Sequence, residues 1–167
     1  FIGGQWECDI YIGGGYVADS TPSPAFTLSD PAGADTVRFQ IQLDDTANFS
    51  SVIVDYTSAL QAQGATSFTV GQAAGTGTYT TGSAGQTLAD LSFYWRVLAT
   101  DNGGLSSGYS TANGGAIAFI VDGTAPTVPG IPATTSPTSD TTPTWTWTAS
   151  TDSGSGLHFS NPYTLQW

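Results

Sequence analysis

Phe93-Tyr94-Trp95-Arg96-Val97-Leu98-Ala99-Thr100-Asp101 is the stretch whose reading decides the fold. Phe93, Trp95, Val97 and Ala99 point one way, and Tyr94, Arg96 and Leu98 the other. A period of two is the signature of a β-strand, and aromatic and β-branched side chains suit its pleated, packed surface. Leu88 precedes the strand, and Asn102-Gly103-Gly104 closes it with a turn.

On both sides of this strand, short alternating runs are separated by Gly, Pro, Asn and Asp clusters, and no segment carries a capped helical apolar period. The pattern predicts an all-β chain folded as an antiparallel β-sandwich. Strands are expected near 7–12, 25–29, 36–43, 52–57, 67–70, 92–100 and 116–121. In the third, Val37, Phe39, Ile41 and Leu43 form the buried face while Arg38, Gln40 and Gln42 face out. In the last, Ile117, Phe119 and Val121 alternate with Ala118 and Ile120, so both faces are apolar. Such a strand needs both faces covered, here by a loop or by a neighbouring subunit. Residues 71–87, rich in Gly, Thr and Ala with Tyr79 at the middle, read as a long loop. The expected core is Phe26, Phe39, Ile41, Leu88, Tyr94, Trp95, Val97, Phe119 and Val121.

The chain repeats itself. Asp19, Thr21, Pro22, Phe26 and Ser29 correspond to Asp140, Thr142, Pro143, Trp147 and Ser150 at a constant offset of 121. After a three-residue insertion, Phe39, Ile41, Gln42 and Leu43 correspond to Tyr163, Leu165, Gln166 and Trp167. Trp147, Leu165 and Trp167 are therefore the expected core of a second copy, and Trp145, two residues from Trp147, is expected on the same face. Between the copies, Val121-Asp-Gly-Thr-Ala-Pro-Thr-Val-Pro129 holds prolines that keep a chain extended and semi-rigid.

The unit from Leu88 to Gly103 resembles the F strand and E–F corner of fibronectin type III-like and bacterial Ig-like domains. The Asp-x-x-Ala-Pro-x-x-Pro joint after Val121 resembles the linker between tandem repeats of that family. Pro143-Thr-Trp-Thr-Trp147 and the turn through Gly156 are similar to its B strand. The resemblance covers nearly everything after about residue 19 and implies one complete sandwich and the first half of another. It divides the chain into residues 1–18, a sandwich over 19–122, a Pro-rich linker over 123–131, and the first strands of a second repeat over 132–167. Three readings stay open for residues 1–18: an A strand, the tail of a preceding domain, or a strand donated to another subunit. A sequence beginning at Phe1 and stopping inside a strand at Trp167 reads as a piece of something longer.

Composition narrows the partners. Charged residues are only 9% of the chain, against about a quarter in ordinary globular proteins. Lys is absent, Arg38 and Arg96 are the only basic side chains, and the formal net charge is -11. Two arginines cannot follow a phosphate backbone, so nucleic acid is excluded, and an anionic membrane surface is disfavoured. No apolar run is long enough to span a bilayer. Cys8 is the only cysteine, so no intrachain disulfide forms, and its alternation with Trp6, Ile10 and Ile12 reads as a small buried hydrophobe.

Catalytic chemistry finds little support. His158 is the only histidine, and no Gly-x-Ser-x-Gly elbow or zinc-ligand set accompanies it. Glycoside hydrolysis needs two placed carboxylates. Glu7 is the only Glu, and the adjacent Asp44 and Asp45 read as the turn ending a strand. No cofactor is expected apart from calcium, which favours oxygen ligands at loop ends. Asp101, Asp122 and Asp152 lie at such ends, and turn-forming, solvated Asp is the competing reading. Tyr79 and Tyr109 are the candidates for stacking on a sugar. Asn48-Phe49-Ser50 is a glycosylation sequon, and 134–144 is a Ser/Thr/Pro tract suited to O-glycans.

The functional expectation is a non-catalytic structural or adhesive module of an extracellular, cell-surface protein or filament. Its partners would be neighbouring domains, identical subunits in a homopolymer, and glycans, with no membrane insertion. Tyr163, Leu165 and Trp167 are expected interaction residues, since the second copy stops before the strands they would pack against. Either the missing half follows in a longer chain or another subunit completes the sandwich by strand addition. Ile120 is a further one, on a strand apolar on both faces. The alternatives are a carbohydrate-binding accessory module of a secreted enzyme and an Asp-dependent hydrolase.

Overall fold

Among the described residues, nine strands and one short 3-10 turn follow one another: β1 (Tyr16–Val17), β2 (Ala25–Leu28), β3 (Val37–Asp44), β4 (Val54–Thr57), β5 (Gly64–Ser67), β6 (Thr78–Thr81), β7 (Ser92–Asp101), β8 (Ser110–Thr111), the turn Ala112–Gly115, and β9 (Phe119–Val121). The computed structural model describes residues 15–31, 36–134, 139, 141–157, 160–164 and 166. The chain divides into two units, Phe1–Gly123 and Thr124–Trp167. The strand expected at 7–12, with Cys8 and Glu7, lies outside the described residues, as do His158, Leu165 and Trp167.

In the first unit the larger sheet runs β1-β9-β7-β3-β4-β6, with β8 also on β7, and β2 and β5 form the second sheet. The backbone is the expected all-β sandwich. The long ladder is β3 on β7, from Val37 opposite Asp101 to Asp44 opposite Tyr94. Its alternation places Phe93, Trp95, Val97 and Ala99 inside with Val37, Phe39, Ile41 and Leu43. Across the gap, Phe26 of β2 packs edge-on against Phe39, with centroids 4.9 Å apart and planes at 79°. Trp95 lies 6.1 Å from Phe26, and Phe68 stacks obliquely on Tyr56 at 5.0 Å. Burying each such side chain contributes roughly 1.5–3 kcal/mol, so these rings dominate the cohesion of the unit. One defect is built in: the indole Nε1 of Trp95 is buried without a hydrogen-bond partner.

Several expectations are corrected. The strand expected at 67–70 begins three residues earlier, as β5. Beyond Ser67 the ladder survives only as single bonds, Phe68 N–H to the Pro24 carbonyl and Val70 N–H to the Pro22 carbonyl. Pro22 and Pro24 have no N–H to return, which stops the strand while leaving Phe68 and Val70 buried. The loop expected over 71–87 contains β6, paired with β4, and Tyr79 packs into the core edge against Tyr56 at 4.9 Å. Tyr94 is half-buried on the outer face, opposite to Trp95, and Gln42 is buried rather than facing water.

The edge near β9 also departs from a simple antiparallel layout. Val17 and Tyr16 run parallel to β9, with Tyr16 opposite Ile120 and Val17 opposite Val121. The end of the 1–18 segment thus belongs to this sandwich. Ile120, half-buried, lies between Tyr16 and Ser92. On β7, three steps separate Arg96 from Phe93, while their partners Thr111 and Phe119 are eight residues apart. The turn Ala112–Gly115 takes up the slip, with Asn113 and Gly114 both at positive φ.

In the second unit, Thr127 N–H bonds the Thr151 carbonyl, Gly130 N–H the Thr148 carbonyl, and Ala133 and Thr146 exchange both bonds. The proline-containing segment read as a linker is therefore laid against the 146–151 segment as a strand-like partner. Gly130 fits there because a Cβ would stand 2.8 Å from the Thr148 side chain.

Candidate functional site

The aromatic pair of the first unit recurs in the second. Trp147 meets Tyr163 edge-on, with centroids 5.4 Å apart and planes at 75°, where the sequence repeat aligns them with Phe26 and Phe39. The Tyr163 hydroxyl accepts a hydrogen bond of 2.9 Å from Ser150 N–H, which fixes the ring over the turn that follows Trp147. Both rings are only half-buried. They line an open groove of about 590 Å³ together with Leu157, Pro162, Val128 and Ile131, and none of its described lining residues is charged. Val128 and Ile131 are 90% and 91% exposed. Among the described residues, the backbone bridges of this unit run between 127–133 and 146–151, and none involves Tyr163 or Thr164.

A second cluster covers the outer face of the larger sheet. Arg96 donates from Nε and Nη2 to Gln42 Oε1, at 2.9 and 2.7 Å. Gln42 Nε2 donates to Asp55 Oδ2 at 2.7 Å, and Gln40 Nε2 to Asp55 Oδ1 at 2.8 Å. The Arg96 guanidinium is held between the rings of Phe49 and Tyr109, 4.2 and 4.1 Å from their centroids. Phe49 sits at φ 52, a left-handed conformation costing about 1–2 kcal/mol for a residue with a Cβ. The cation–π contact it gains is of similar size when partly desolvated. Burial raises the Tyr109 hydroxyl pKa; Arg96 pulls it down and Asp55 pushes it up, leaving it above the usual tyrosine value.

Asp44 is buried at the end of β3. Its Oδ1 accepts from Thr46 N–H and the Thr46 hydroxyl, and its Oδ2 from Ser51 N–H, each at 3.1 Å. Burial pushes its pKa up, but these hydrogen bonds, with one from Asp45, outweigh it and hold the carboxyl below its ordinary range. Asp44 closes the turn 45–51. Asn48 is exposed on that turn, its Oδ1 accepting from Ser50 N–H at 3.1 Å.

Two of the three calcium candidates have carboxylates bonded to backbone N–H groups of their own turns. Asp101 Oδ1 accepts from Leu105 N–H at 2.7 Å, and Asp152 Oδ1 from Gly154 N–H at 2.9 Å. Asp122 is buried, and its N–H bonds the Val17 carbonyl. Among the described residues no three His, Cys, Asp or Glu gather to hold a metal ion. Tyr79 is not a free sugar platform: its hydroxyl donates to the Gln72 carbonyl at 2.8 Å. Burial and the neighbouring Tyr56 raise its pKa. Tyr109, 37% exposed, caps Arg96. Trp145, expected in a core, is 49% exposed.

Sequence reasoning found the Trp147–Tyr163 pair through the repeat but missed Val128 and Ile131, which it had placed in or beside a linker. The apolar residues scattered among the prolines of 126–132 were the available signal. No family model, no curated protein and no solved structure matches this chain.

Proposed function

We propose that the chain is a non-catalytic structural or adhesive module of an extracellular surface protein or filament, built from tandem fibronectin type III-like or bacterial Ig-like units. The observation that carries this reading is the recurrence of one edge-on aromatic pair, Phe26–Phe39 and Trp147–Tyr163, at repeat-related positions. A chain that reuses one packing solution is an array, and arrays suit spacers, stalks and fibres. The net charge of -11 and the absence of Lys suit a solvated surface outside the cell. The strongest hydrolase candidate, Asp44, has its carboxylate spent on its own turn.

Electron microscopy of the purified native material tests this directly. Strings of beads or regular filaments are the expected result. Sugar binding on a glycan array, abolished by Tyr109→Ala, would replace the reading with that of a carbohydrate-binding accessory module. Turnover of a glycoside or ester abolished by Asp44→Asn would replace it with a hydrolase.

A further inference from the structure

We infer that Asn48 carries an N-linked oligosaccharide, transferred to its Nδ2 from a lipid-pyrophosphate donor. The inference rests on the extracellular reading above and adds a covalent modification to it. Asparagines stand at 48, 102, 113 and 161, and only Asn48 begins the acceptor pattern Asn-x-Ser/Thr. Gly104 and Gly115 occupy the third position after Asn102 and Asn113, and Pro162 follows Asn161 directly. The fold then presents this side chain as the pattern alone does not. Asn48 is exposed on the turn 45–51, and its Oδ1 accepts from Ser50 N–H at 3.1 Å and from the Thr46 hydroxyl at 3.0 Å, which closes an Asx turn.

Phe49, the bulky middle residue, sits at φ 52 and lays its ring on Arg96, so the outer face of the sheet takes it up. With Oδ1 held by two donors, the Asn48 Nδ2 makes no hydrogen bond among the described residues. Asn113 is the contrast, because its Nδ2 donates to the Ile117 carbonyl at 2.7 Å. The turn is anchored by Asp44 through Thr46 and Ser51, so a large group on Asn48 disturbs no core contact. An amide nitrogen is a weak nucleophile, since its lone pair is shared with the carbonyl. As Nδ2 attacks the anomeric carbon it yields a proton to a base of the transferase, and negative charge shifts toward Oδ1, where the Ser50 and Thr46 donors already point. The bond formed joins Nδ2 to the anomeric carbon. The bond broken joins that carbon to the donor's phosphate oxygen, and the lipid pyrophosphate leaves with the electron pair.

The test takes the protein from its own source, separates material outside the cells from material inside, and weighs the proteolytic peptide that contains Asn48. A carbohydrate mass on that peptide is expected, removed by a glycan-releasing amidase that converts the side chain to a carboxylate. Ser50→Ala, made in the same source, is the discriminating variant. It deletes a hydroxyl that bonds nothing among the described residues and keeps the N–H that holds Asn48. It should therefore abolish the modification and leave the urea unfolding midpoint unchanged, and Ser50→Thr should restore the sugar. A bare peptide from protein recovered outside the cells overturns the inference and leaves the extracellular module standing. So does a modification that survives Ser50→Ala, or sugar confined to Ser and Thr side chains. Protein found only inside the cells, with Asn48 bare, overturns both.

Discussion

Phe26–Phe39 and Trp147–Tyr163 are two builds of one contact, and their fates differ. The first is sealed in a core, whereas the second lines an open groove. Local sequence sets the pair itself: alternation, the turn that brings the second ring over the first, and the edge-on preference of aromatic quadrupoles. A third element sets its burial, and that element comes from 56 residues beyond Phe39 in the first unit, at Trp95. Formation of the contact and removal of its rings from water are therefore separable steps. The first unit completes both; among its described residues, the second completes one.

The sharpest challenge to that comparison is paired truncation. Trp95→Ala empties a fully buried site and should cost about 3–5 kcal/mol in a urea unfolding curve of the first unit. Trp147→Ala acts on a half-buried ring and should cost below about 2 kcal/mol. Equal losses would make the groove a core and collapse the distinction.

Asp44→Asn comes next, with an expected loss of about 1–3 kcal/mol, because an amide nitrogen replaces an acceptor facing backbone N–H groups. The same variant carries a pH signature. The folded pKa of Asp44 lies below the ordinary aspartate value of 3.8, so its stabilisation is complete above the unfolded value and disappears as pH falls through the folded one. Acid unfolding of the first unit should therefore flatten in Asp44→Asn, measured by circular dichroism between neutral pH and about pH 2.

A smaller effect belongs to the outer face. Tyr109→Ala removes one of the two rings on Arg96 and should cost about 0.5–1 kcal/mol. In an ultraviolet titration, Tyr109 and Tyr79 should ionise above the ordinary tyrosine value of 10.0, and the upper component should shrink in Tyr79→Phe. Smallest of all, Trp145→Ala should change stability by less than about 0.5 kcal/mol, since its ring is exposed. A larger loss would mean that Trp145 shares a core with Trp147.

Much of the sandwich was legible. β7, β3 and β2 announce themselves through alternation of large apolar side chains, and the repeat offset located Trp147 and Tyr163. β6 was hidden because Thr78-Tyr-Thr-Thr81 carries one aromatic and sits among glycines, so its pairing with β4 has no local hydrophobic signal. At four residues β6 is also a short edge strand, which limits further pairing. Gln42 read as solvent-facing because its cover, Arg96, lies 54 residues away in sequence. The Arg96 stack was equally invisible, since it depends on Phe49 adopting positive φ. Trp145 shows the limit from the other side: alternation assigns a face but does not say whether anything arrives to cover it.

The parallel pairing of Tyr16–Val17 with β9 bears on how the first unit would respond to tension. Ile120 N–H to the Gly15 carbonyl and Asp122 N–H to the Val17 carbonyl join the first and last strands among the unit's described residues. Because those strands run in the same direction, pulling the chain before Tyr16 away from the chain after Val121 slides one along the other. The bonds are loaded together in shear instead of opening one at a time as a zipper does. A stalk or fibre made of such units would put its mechanical resistance in this short clamp, and Val17→Pro, which lacks a donor and restricts φ there, would be the place to probe it with a force measurement.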